Sequence, residues 1–404
     1  MPTTLRVGAE WELRSLVNEA VTKGTPLDIE GGGTKHAVGR PVQAAHVLTT
    51  VGLNGIPLYE PTELVMSARA GTLLADIEAE LAGRGQMLAF EPVDLGPALG
   101  QEARKGTIGA VFATNLSGAR RIAAGAARDH LLGVRAVTGA GEVFKSGGRV
   151  MKNVTGYDLA RGLCGSWGTL AVMTEVTFKV VPAPERTATL VLAGLPDEIA
   201  AEAMCAALGT PFEVSGAVHL QEALVERLQH TDLQAVGRAV TALRLENFAK
   251  FVDARMAKLR EVLAPFGESY VLDHDAAFAF WSELRQLSVL QGSDTFLWRF
   301  STAPRMAPKV VSGIGRYMPV SAFYDWSGGL VWLQIPPSAD AGATDIRRIL
   351  AIHGGHATLI RAPAAVRNAV EVFQPLDPAV ARLTGRLKAT FDPAGILNPR
   401  RMYG

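Results

Sequence analysis

The chain has 404 residues, 48% of them hydrophobic, which suffices for a sizeable core and allows two or three domains. Its 40 basic and 39 acidic residues leave a net charge of +1, which excludes the basic footprint expected of a nucleic-acid-binding protein. The two cysteines, Cys164 and Cys205, lack the spacing of a metal site, are too few for an iron–sulfur cluster and indicate a reducing compartment.

The amino terminus contains no apolar signal core, and no stretch of the sequence is long enough to span a bilayer. We therefore expect a cytoplasmic protein, with any contact to the inner membrane made through partners.

The first 60 residues predict a small α/β unit. Apolar residues recur with helical spacing from Trp11 to Val21, which predicts an amphipathic helix that ends near Gly24. A short strand over Leu27–Ile29 then runs into the loop Gly31-Gly32-Gly33-Thr34. A glycine triplet after a strand suits a nest of backbone N–H groups that holds an anion, and the alternative is a flexible turn.

A second α/β unit follows from Pro61-Thr62-Glu63. Its predicted elements, in chain order, are a strand Leu64–Ala70, a helix Thr72–Ala82, a strand Gln86–Phe90, a hairpin of Leu132–Val134 and Val143–Phe144, and a strand Thr169–Val181. Pro182 and Pro184 then close the unit.

Glycines recur through this second unit beside Thr, Ser and Asn, at Gly106, Gly109, Gly118, Gly125, Gly165 and Gly168. Positions without a Cβ let backbone N–H groups approach a ligand closely. Several such loops in one domain indicate a large ligand threaded between them, and a flavin dinucleotide fits that description.

The order of these motifs resembles a known superfamily. Gly31-Gly32-Gly33-Thr34, Pro61-Thr62-Glu63, Gly106-Thr107-Ile108-Gly109-Ala110, Thr114-Asn115-Leu116-Ser117-Gly118 and Gly165-Ser166-Trp167-Gly168-Thr169-Leu170 resemble the FAD-binding domain of vanillyl-alcohol oxidase flavoproteins, also called the PCMH type. Three further segments resemble the FAD-binding E subunits of bacterial glycolate oxidases: Arg120-Arg121 with Arg128-Asp129-His130, then Lys152–Leu159, and the tail Phe391–Pro399.

The resemblance implies an α+β fold. Residues 1–183 would form a two-subdomain PCMH-type FAD-binding domain, residues 184–390 an α+β cap for substrate or subunit contacts, and residues 391–404 a tail that returns to the flavin.

The resemblance also implies which residues bind FAD. They are Gly31, Gly32, Gly33, Thr34 and Lys35 at the pyrophosphate; Pro92, Gly106, Thr107, Gly109, Ala110 and Asn115 over the phosphates and isoalloxazine; Gly165, Gly168, Thr169, Leu170 and Thr174 on the adenosine side; and Asn398 from the tail. The alternative for each glycine is an ordinary turn, and for Ala110 and Leu170 a place in the core.

Departures from the family refine these expectations. Thr34 stands where covalent flavoproteins often carry a histidine, and His36 lies two residues further on, so we expect non-covalent FAD. Arg400 stands where a glycine usually follows the tail proline. The related D-2-hydroxyacid dehydrogenases carry a metal-binding His-x-His, whereas His353-Gly354-Gly355-His356 has another spacing without a carboxylate cluster, so we predict no metal site.

The cap is expected to cover the reactive ring of the flavin. Its predicted elements are helices Glu198–Leu208, Glu222–Leu228, Ala249–Leu263 and Asp275–Gln291, and strands Ser215–Leu220, Ala239–Leu245, Thr295–Ser301 and Leu330–Gln334. A 2-hydroxy acid needs an arginine for its carboxylate and a base for its hydroxyl proton. Candidate catalytic residues are Arg299, Tyr324 and His356, with Arg361 as a further cation, and the alternative for each is a structural role.

Three functions follow as hypotheses. The leading one is an FAD-binding subunit of a glycolate oxidase complex that oxidises glycolate to glyoxylate and passes electrons to an iron–sulfur partner, beside a related larger flavoprotein subunit that carries the substrate chemistry. The second is a self-sufficient FAD-dependent D-2-hydroxyacid dehydrogenase. The third is a non-catalytic flavin-binding scaffold.

Overall fold

A computed structural model describes residues 2–149, 156–292 and 294–403. Its strands are β1 (Thr3–Arg6), β2 (Leu27–Glu30), β3 (His46–Thr49), β4 (Leu58–Glu60), β5 (Val65–Arg69), β6 (Gln86–Met87), β7 (Leu131–Thr138), β8 (Val143–Gly147), β9 (Ala171–Lys179), β10 (Val181–Pro182), β11 (Arg186–Ala193), β12 (Val214–Leu220), β13 (Val240–Asn247), β14 (Ser269–Leu272), β15 (Phe296–Ser301), β16 (Ser321–Asp325), β17 (Leu330–Ile335) and β18 (His356–Arg361).

The described residues also form fifteen α-helices. They are α1 (Glu10–Lys23), α2 (Leu74–Ala82), α3 (Ile108–Thr114), α4 (Arg121–Ala124), α5 (Ala127–His130), α6 (Leu159–Leu163), α7 (Asp197–Leu208), α8 (Glu222–Val225), α9 (Thr231–Gln234), α10 (Ala249–Leu263), α11 (His274–Arg285), α12 (Ala307–Gly315), α13 (Ala343–His353), α14 (Ala364–Ala369) and α15 (Pro378–Phe391). No helix among the described residues is long and apolar enough to cross a membrane.

The first subdomain is a parallel sheet in the order β1-β3-β2, covered by α1. Leu13, Val17 and Ala20 of α1 are buried, and the helix ends at Gly24, whose φ of 60° is left-handed. The predicted helix and the strand after it are therefore confirmed. At the end of β2 the chain enters the glycine loop, which places that loop at the edge of this sheet.

The second subdomain is a five-stranded antiparallel sheet in the order β4-β5-β9-β7-β8. The predicted hairpin is confirmed as β7 paired with β8, and the predicted long strand as β9. The predicted strand Gln86–Phe90 is mostly wrong, because only Gln86 and Met87 pair with β10, while Phe90 packs as a loop residue against Phe112 in the core.

The cap is one eight-stranded antiparallel sheet in the order β14-β11-β13-β12-β16-β17-β15-β18. The predictions for α7, α10, β12, β13, β15 and β17 are confirmed. The prediction for the helix Asp275–Gln291 is too long, because the helix ends at Arg285 and Leu287 adopts a left-handed φ of 52°. Strands β11, β14, β16 and β18 are absent from the predicted elements.

The carboxyl-terminal segment lies beside β2. Leu27 donates to the carbonyl of Ile396 and accepts from the N–H of Asn398, so the tail pairs with the strand that leads into the glycine loop. The Asp392 carboxylate accepts from the N–H groups of Ile396 and Leu397 and thereby fixes the turn before it. These bonds hold the tail next to the glycine loop.

Candidate functional site

A cleft separates the glycine loop from the second subdomain. One wall is the segment from Ile29 to His36, and the opposite wall consists of the start of α3 and the start of β9. Gly168, on the loop before β9, closes one end of the cleft. The site therefore lies between the two subdomains and consists largely of backbone.

The glycine loop packs so closely against the segment before α3 that side chains are excluded. A Cβ on Gly31 would overlap the Thr107 hydroxyl, and a Cβ on Gly32 would overlap the carbonyl oxygen of Lys105. Gly109 packs in the same way against the backbone of Ala70. These glycines are thus required by close approach, which the alternative of a flexible turn does not demand.

Two polar groups at the glycine loop have no protein partner. The hydroxyl oxygen of Thr107, behind Gly31, is buried and forms no hydrogen bond within the part of the chain that the structure describes. The Lys35 side chain is largely buried, and burial lowers its pKa while Asp94 partly offsets this effect. No carboxylate lies within 4.0 Å of its ammonium group among the described residues. Buried polar groups usually find partners, so this set fits an anionic ligand such as the FAD diphosphate.

Two further cavities extend the cleft toward the cap. One of about 500 Å³ shares Lys35 with the cleft and is also lined by Gly106, Val93 and Arg285. The next, of about 280 Å³, shares Val93 and Arg285 with it and reaches Trp332 on the cap sheet. The cleft and the two cavities therefore lie next to one another between the glycine loop and the cap sheet.

A buried network of ion pairs joins Glu91 and Arg120 of the second subdomain to Arg244 and Glu246 of the cap. Arg244 of β13 donates to Glu91 over 2.9 and 3.1 Å, and Arg120 donates to Glu246 over 2.7 and 2.9 Å. Burial alone would raise the pKa of both carboxyl groups, but the two guanidinium groups lower the pKa of Glu91 well below its usual range and that of Glu246 to about 2. The network therefore stays fully ionised at neutral pH.

A cluster of cations surrounds Trp326, which follows β16. The guanidinium of Arg121 lies 4.9 Å and that of Arg299 5.2 Å from the Trp326 ring, and the Trp326 indole donates to the Gly118 carbonyl over 2.9 Å. Arg299 Nε is buried and forms no hydrogen bond with any described residue. Burial and the charge of Arg121 lower the pKa of Arg299 to about 10, so both groups remain cationic.

The backbone beside this cluster is strained. Trp326, Ser327 and Gly328 all have positive φ, at 54°, 61° and 95°. Asp325 immediately before them is buried and accepts from the Trp326 N–H. Burial and the charge of Glu91 raise the pKa of Asp325 to about 7. Strained, ionisable positions of this kind cluster at functional sites.

The predicted FAD-binding residues divide into three groups. Gly31, Gly32, Gly33, Thr34, Lys35, Gly109, Ala110 and Gly168 line the cleft, and Gly106 lines the next cavity. Thr107 lies directly behind the glycine loop. Pro92, Asn115, Gly165, Thr169, Leu170, Thr174 and Asn398 are absent from the cleft lining.

The third group supports the cleft from outside. Asn398 accepts from the Ile29 N–H over 2.7 Å and donates to the Trp167 carbonyl over 2.8 Å, so it ties the two walls together. Asn115 has a φ of 51° at the end of α3. Thr174 donates to Glu10, and Pro92 accepts from Arg285. Gly165, Thr169 and Leu170 face a separate groove beside α15. Residues 152–155 of the predicted motif Lys152–Leu159 lie outside the described residues.

The candidate catalytic residues do not all meet. His356 on β18 lies near Arg299, and burial and the charge of Arg299 lower its pKa. Tyr324 lies on the opposite face of β16 from Asp325, where its hydroxyl donates to Asp197 over 2.6 Å. The Arg361 guanidinium is occupied by the carbonyls of Ala98, Leu290 and Thr295. Within the described ranges, no group of three or more His, Cys, Asp or Glu side chains is arranged to hold a metal ion.

Sequence reasoning missed the ion network and the role of Asp325. Glu91 and Arg244 are 153 residues apart, so no local pattern links them. One signal was present, because Arg244 interrupts an otherwise apolar strand in Ala-Leu-Arg-Leu, and a charge in such a strand requires a partner.

Comparison with known proteins agrees with this geometry. Residues 3–147 match the family model described as an FAD binding domain. Across 98% of this chain and 88% of each relative, the fold is that of p-cresol methylhydroxylase (TM-score 0.73, 13% identity) and of 4-ethylphenol oxidase from Gulosibacter chungangensis (TM-score 0.72, 15% identity). The fold and the family match together define a flavoprotein with an FAD binding domain and the fold of p-cresol methylhydroxylase.

Sequence relatives narrow this class. The chain is 38% identical to glycolate oxidase subunit GlcE of Escherichia coli (strain K12) over 96% of its own length and 95% of that protein. It is 30% identical to glycolate oxidase subunit GlcD of Bacillus subtilis (strain 168), but over only 41% of this chain and 34% of that protein. The chain belongs to the GlcE family of glycolate oxidase subunits.

Proposed function

We propose that this chain is the FAD-binding subunit of a glycolate oxidase complex that oxidises glycolate to glyoxylate and passes the electrons to an iron–sulfur subunit. The observation that carries the proposal is the 38% identity to GlcE over nearly the whole chain. A GlcD-type flavoprotein is the second flavin-containing partner. The assembly is cytoplasmic, and any membrane contact is made through the partner subunits.

The cleft residues would hold FAD without a covalent bond. Backbone N–H groups of Gly31 to Gly33 and the free hydroxyl of Thr107 are donors for the diphosphate, and Lys35 supplies a positive charge. Bound FAD would supply a two-electron acceptor. The next two cavities, which lie toward the cap, would accommodate the remainder of the cofactor.

The cation cluster around Trp326 is the proposed substrate end of the site. Arg299 and Arg121 are cations without an acidic partner within 4.0 Å among the described residues, and a small carboxylate would neutralise them. Asp325 is proposed to take the hydroxyl proton, because a carboxyl with a pKa of about 7 is partly ionised at neutral pH. Trp326 positions both arginines by contact with each.

The test is an anaerobic visible spectrum of the purified chain before and after addition of glycolate, alone and with its GlcD-type and iron–sulfur subunits. We expect the flavin to bleach in the assembled complex. The variant Arg299→Met should retain FAD but raise the KM for glycolate at least about tenfold, since it removes a charge-assisted contact. Arg305→Met, an exposed neighbour, is the matched control. An assembled complex whose flavin stays oxidised contradicts the proposal.

A second candidate is the non-catalytic flavin-binding subunit. It is favoured by the small size of the cavity at the cap, about 280 Å³, which is bounded by Trp281 and Trp332. In that case Arg299→Met leaves glycolate oxidation by the complex unchanged. Bleaching of the isolated chain would instead favour a self-sufficient dehydrogenase.

A further inference from the structure

Helix α15 differs from the other long helices because none of its residues is buried. By contrast, α10, of similar length, buries Val252, Met256, Leu259 and Leu263. A helix in a folded domain normally owes its stability to an apolar face packed against the rest of the protein. The apolar face of α15 has no such cover within the described chain.

That face is apolar and continuous. Val380, Leu383 and Leu387 lie three and four residues apart, and they are 49%, 65% and 40% exposed. A contiguous exposed apolar stripe of this kind marks an interaction site in a soluble protein.

A groove runs along the same helix. It lies between α15, the segment from Gly162 to Leu170 and the tail from Arg400 to Tyr403. We call it the α15 groove. Leu387 belongs to both the stripe and the groove, so the two form one surface. A concave surface beside a raised helix suits an inserted polypeptide segment.

The positive charge around the α15 groove favours an acidic binding partner. Helix α15 contains three basic residues, Arg382, Arg386 and Lys388, and no acidic one, and Arg400 lies across the groove. Glu371, the acidic residue of the groove lining, is paired with Arg40 over 2.7 Å. A second copy of this chain meeting α15 symmetrically would bring arginine against arginine, which is unfavourable.

We infer that the α15 groove is the docking site for another subunit of the complex, which presents an acidic, amphipathic segment to it. The apolar side of that segment covers Val380, Leu383 and Leu387, and its carboxylates pair with Arg382, Arg386 and Arg400. The inference rests on the proposed function in so far as that function requires partner subunits.

The groove floor connects this surface to the flavin site. Lys388 of α15 donates to the carbonyls of Thr169 and Leu397 and to Asp392 over 2.5 Å. Asn398, which ties the walls of the cleft, lies on the same floor. A docked partner therefore touches the back of the loop whose front, at Gly168, lines the cleft.

The test is a binding measurement on the full chain, co-expressed and titrated with its own GlcD-type and iron–sulfur subunits. The double variant L383E/R386E should weaken the complex at least about tenfold, as expected for loss of a buried apolar contact and an ion pair together, and should leave FAD content and melting temperature unchanged. The matched control is K258E/V262E on α10, which places the same chemistry on another exposed helix face. A second variant, R382E/R386E, changes only surface charge and should show the same loss, decreasing with added salt.

Several results would overturn the inference. One is wild-type affinity in both α15 variants. Another is a wild-type homodimer that L383E/R386E converts to monomer, which would make a second copy the occupant. A third is binding to phosphatidylglycerol–phosphatidylethanolamine vesicles that L383E/R386E abolishes while the complex still assembles. A complex that assembles through α15 but does not oxidise glycolate contradicts the proposed function alone, so the two failures are distinguishable.

Discussion

The glycine-loop cleft and the interface with the cap differ in whether their buried polar groups have hydrogen-bond partners within the protein. Behind the glycine loop of the cleft, Thr107 has a buried hydroxyl without a partner in the described protein, and Lys35 has no paired carboxylate there. At the interface, Glu91 and Arg244 are buried as deeply but are fully paired. Buried polar groups without a protein partner indicate where a ligand forms the missing hydrogen bonds. Buried polar groups that are paired within the protein contribute to the stability of the fold instead.

This difference predicts that the two regions contribute separately to FAD affinity and to the stability of the fold. Substitutions in the ion network should change the free energy of unfolding, whereas substitutions at the cleft should change FAD affinity. The five predictions below test that separation, in order of decreasing effect.

Removing one charge from the ion network should have the largest effect. Glu91→Gln leaves Arg244 buried beside a neutral amide, and loss of one partner of a buried pair costs about 3–5 kcal/mol. The measurement is chemical denaturation of the FAD-loaded chain. Asp253→Asn, which breaks the exposed pair with Arg186, is the control and should cost much less. Equal losses in the two variants would show that the network does not hold the cap.

The pH dependence of the free energy of unfolding should show the raised pKa of Asp325. Its pKa is raised to about 7 from 3.8, so the folded protein binds the proton more tightly than the unfolded chain does. Stability should therefore fall as pH rises from about 4 to about 7, by up to about 4 kcal/mol. Asp325→Asn should remove that slope.

Glu246 should make stability depend on pH in the opposite direction to Asp325. Its pKa is lowered to about 2, so its contribution is present above about 4.5 and is lost as pH falls toward 2. Glu246→Gln should flatten the acid side only. If Asp325→Asn flattened the acid side instead, the origin assigned to the slope above pH 4 would be wrong.

A side chain in the glycine loop should weaken FAD binding. Gly32→Ala places a Cβ against the Lys105 carbonyl oxygen, and overpacking against backbone costs about 1–3 kcal/mol, or roughly ten- to hundredfold in affinity. Gly162→Ala is the matched control, since no atom lies within 4 Å of its added Cβ. FAD titration by fluorescence measures both. Unchanged affinity in Gly32→Ala would remove the glycine loop from the binding site.

The smallest expected effect is at Thr107. Thr107→Val removes a hydroxyl without a described protein partner, so the stability of the FAD-free chain should not fall. FAD affinity should fall by about 0.5–1.5 kcal/mol, the value of one hydrogen bond. The paired contrast is Thr72→Val, whose hydroxyl bonds to Gly55 and Arg69 and should cost stability without the ligand. Lower stability of FAD-free Thr107→Val would show that its hydroxyl serves the fold.

Local patterns predicted the elements that depend on neighbours in sequence. The helix α1 with its glycine end, the β7–β8 hairpin and α10 follow from periodicity and turn residues within short windows. The glycine-rich loops and the flavin they imply were readable for the same reason, since close approach of backbone to ligand demands glycine at particular positions.

Contacts between segments that are distant in sequence could not be predicted from local sequence patterns. Tyr324 and Asp325 are adjacent in sequence, and only the register of β16 in its sheet decides that Tyr324 faces Asp197 while Asp325 faces Glu91 and the flavin lobe. The flavin contact predicted for Asn398 stays a prediction, and only the tertiary structure shows that its side chain bonds to the backbone of Ile29 and Trp167 on either side of the cleft.

The sequence by itself therefore determined the glycine-rich loops and the local helices and hairpins, because these depend on short-range pattern, while the resemblance of its ordered motifs to a known family indicated the fold class and the cofactor. The tertiary structure alone decided the pairing of Glu91 with Arg244, the side of the sheet that each cap residue faces, and the exposure of α15. Those features depend on which distant segments pack together, and a single strand register or helix rotation changes them without changing any local motif.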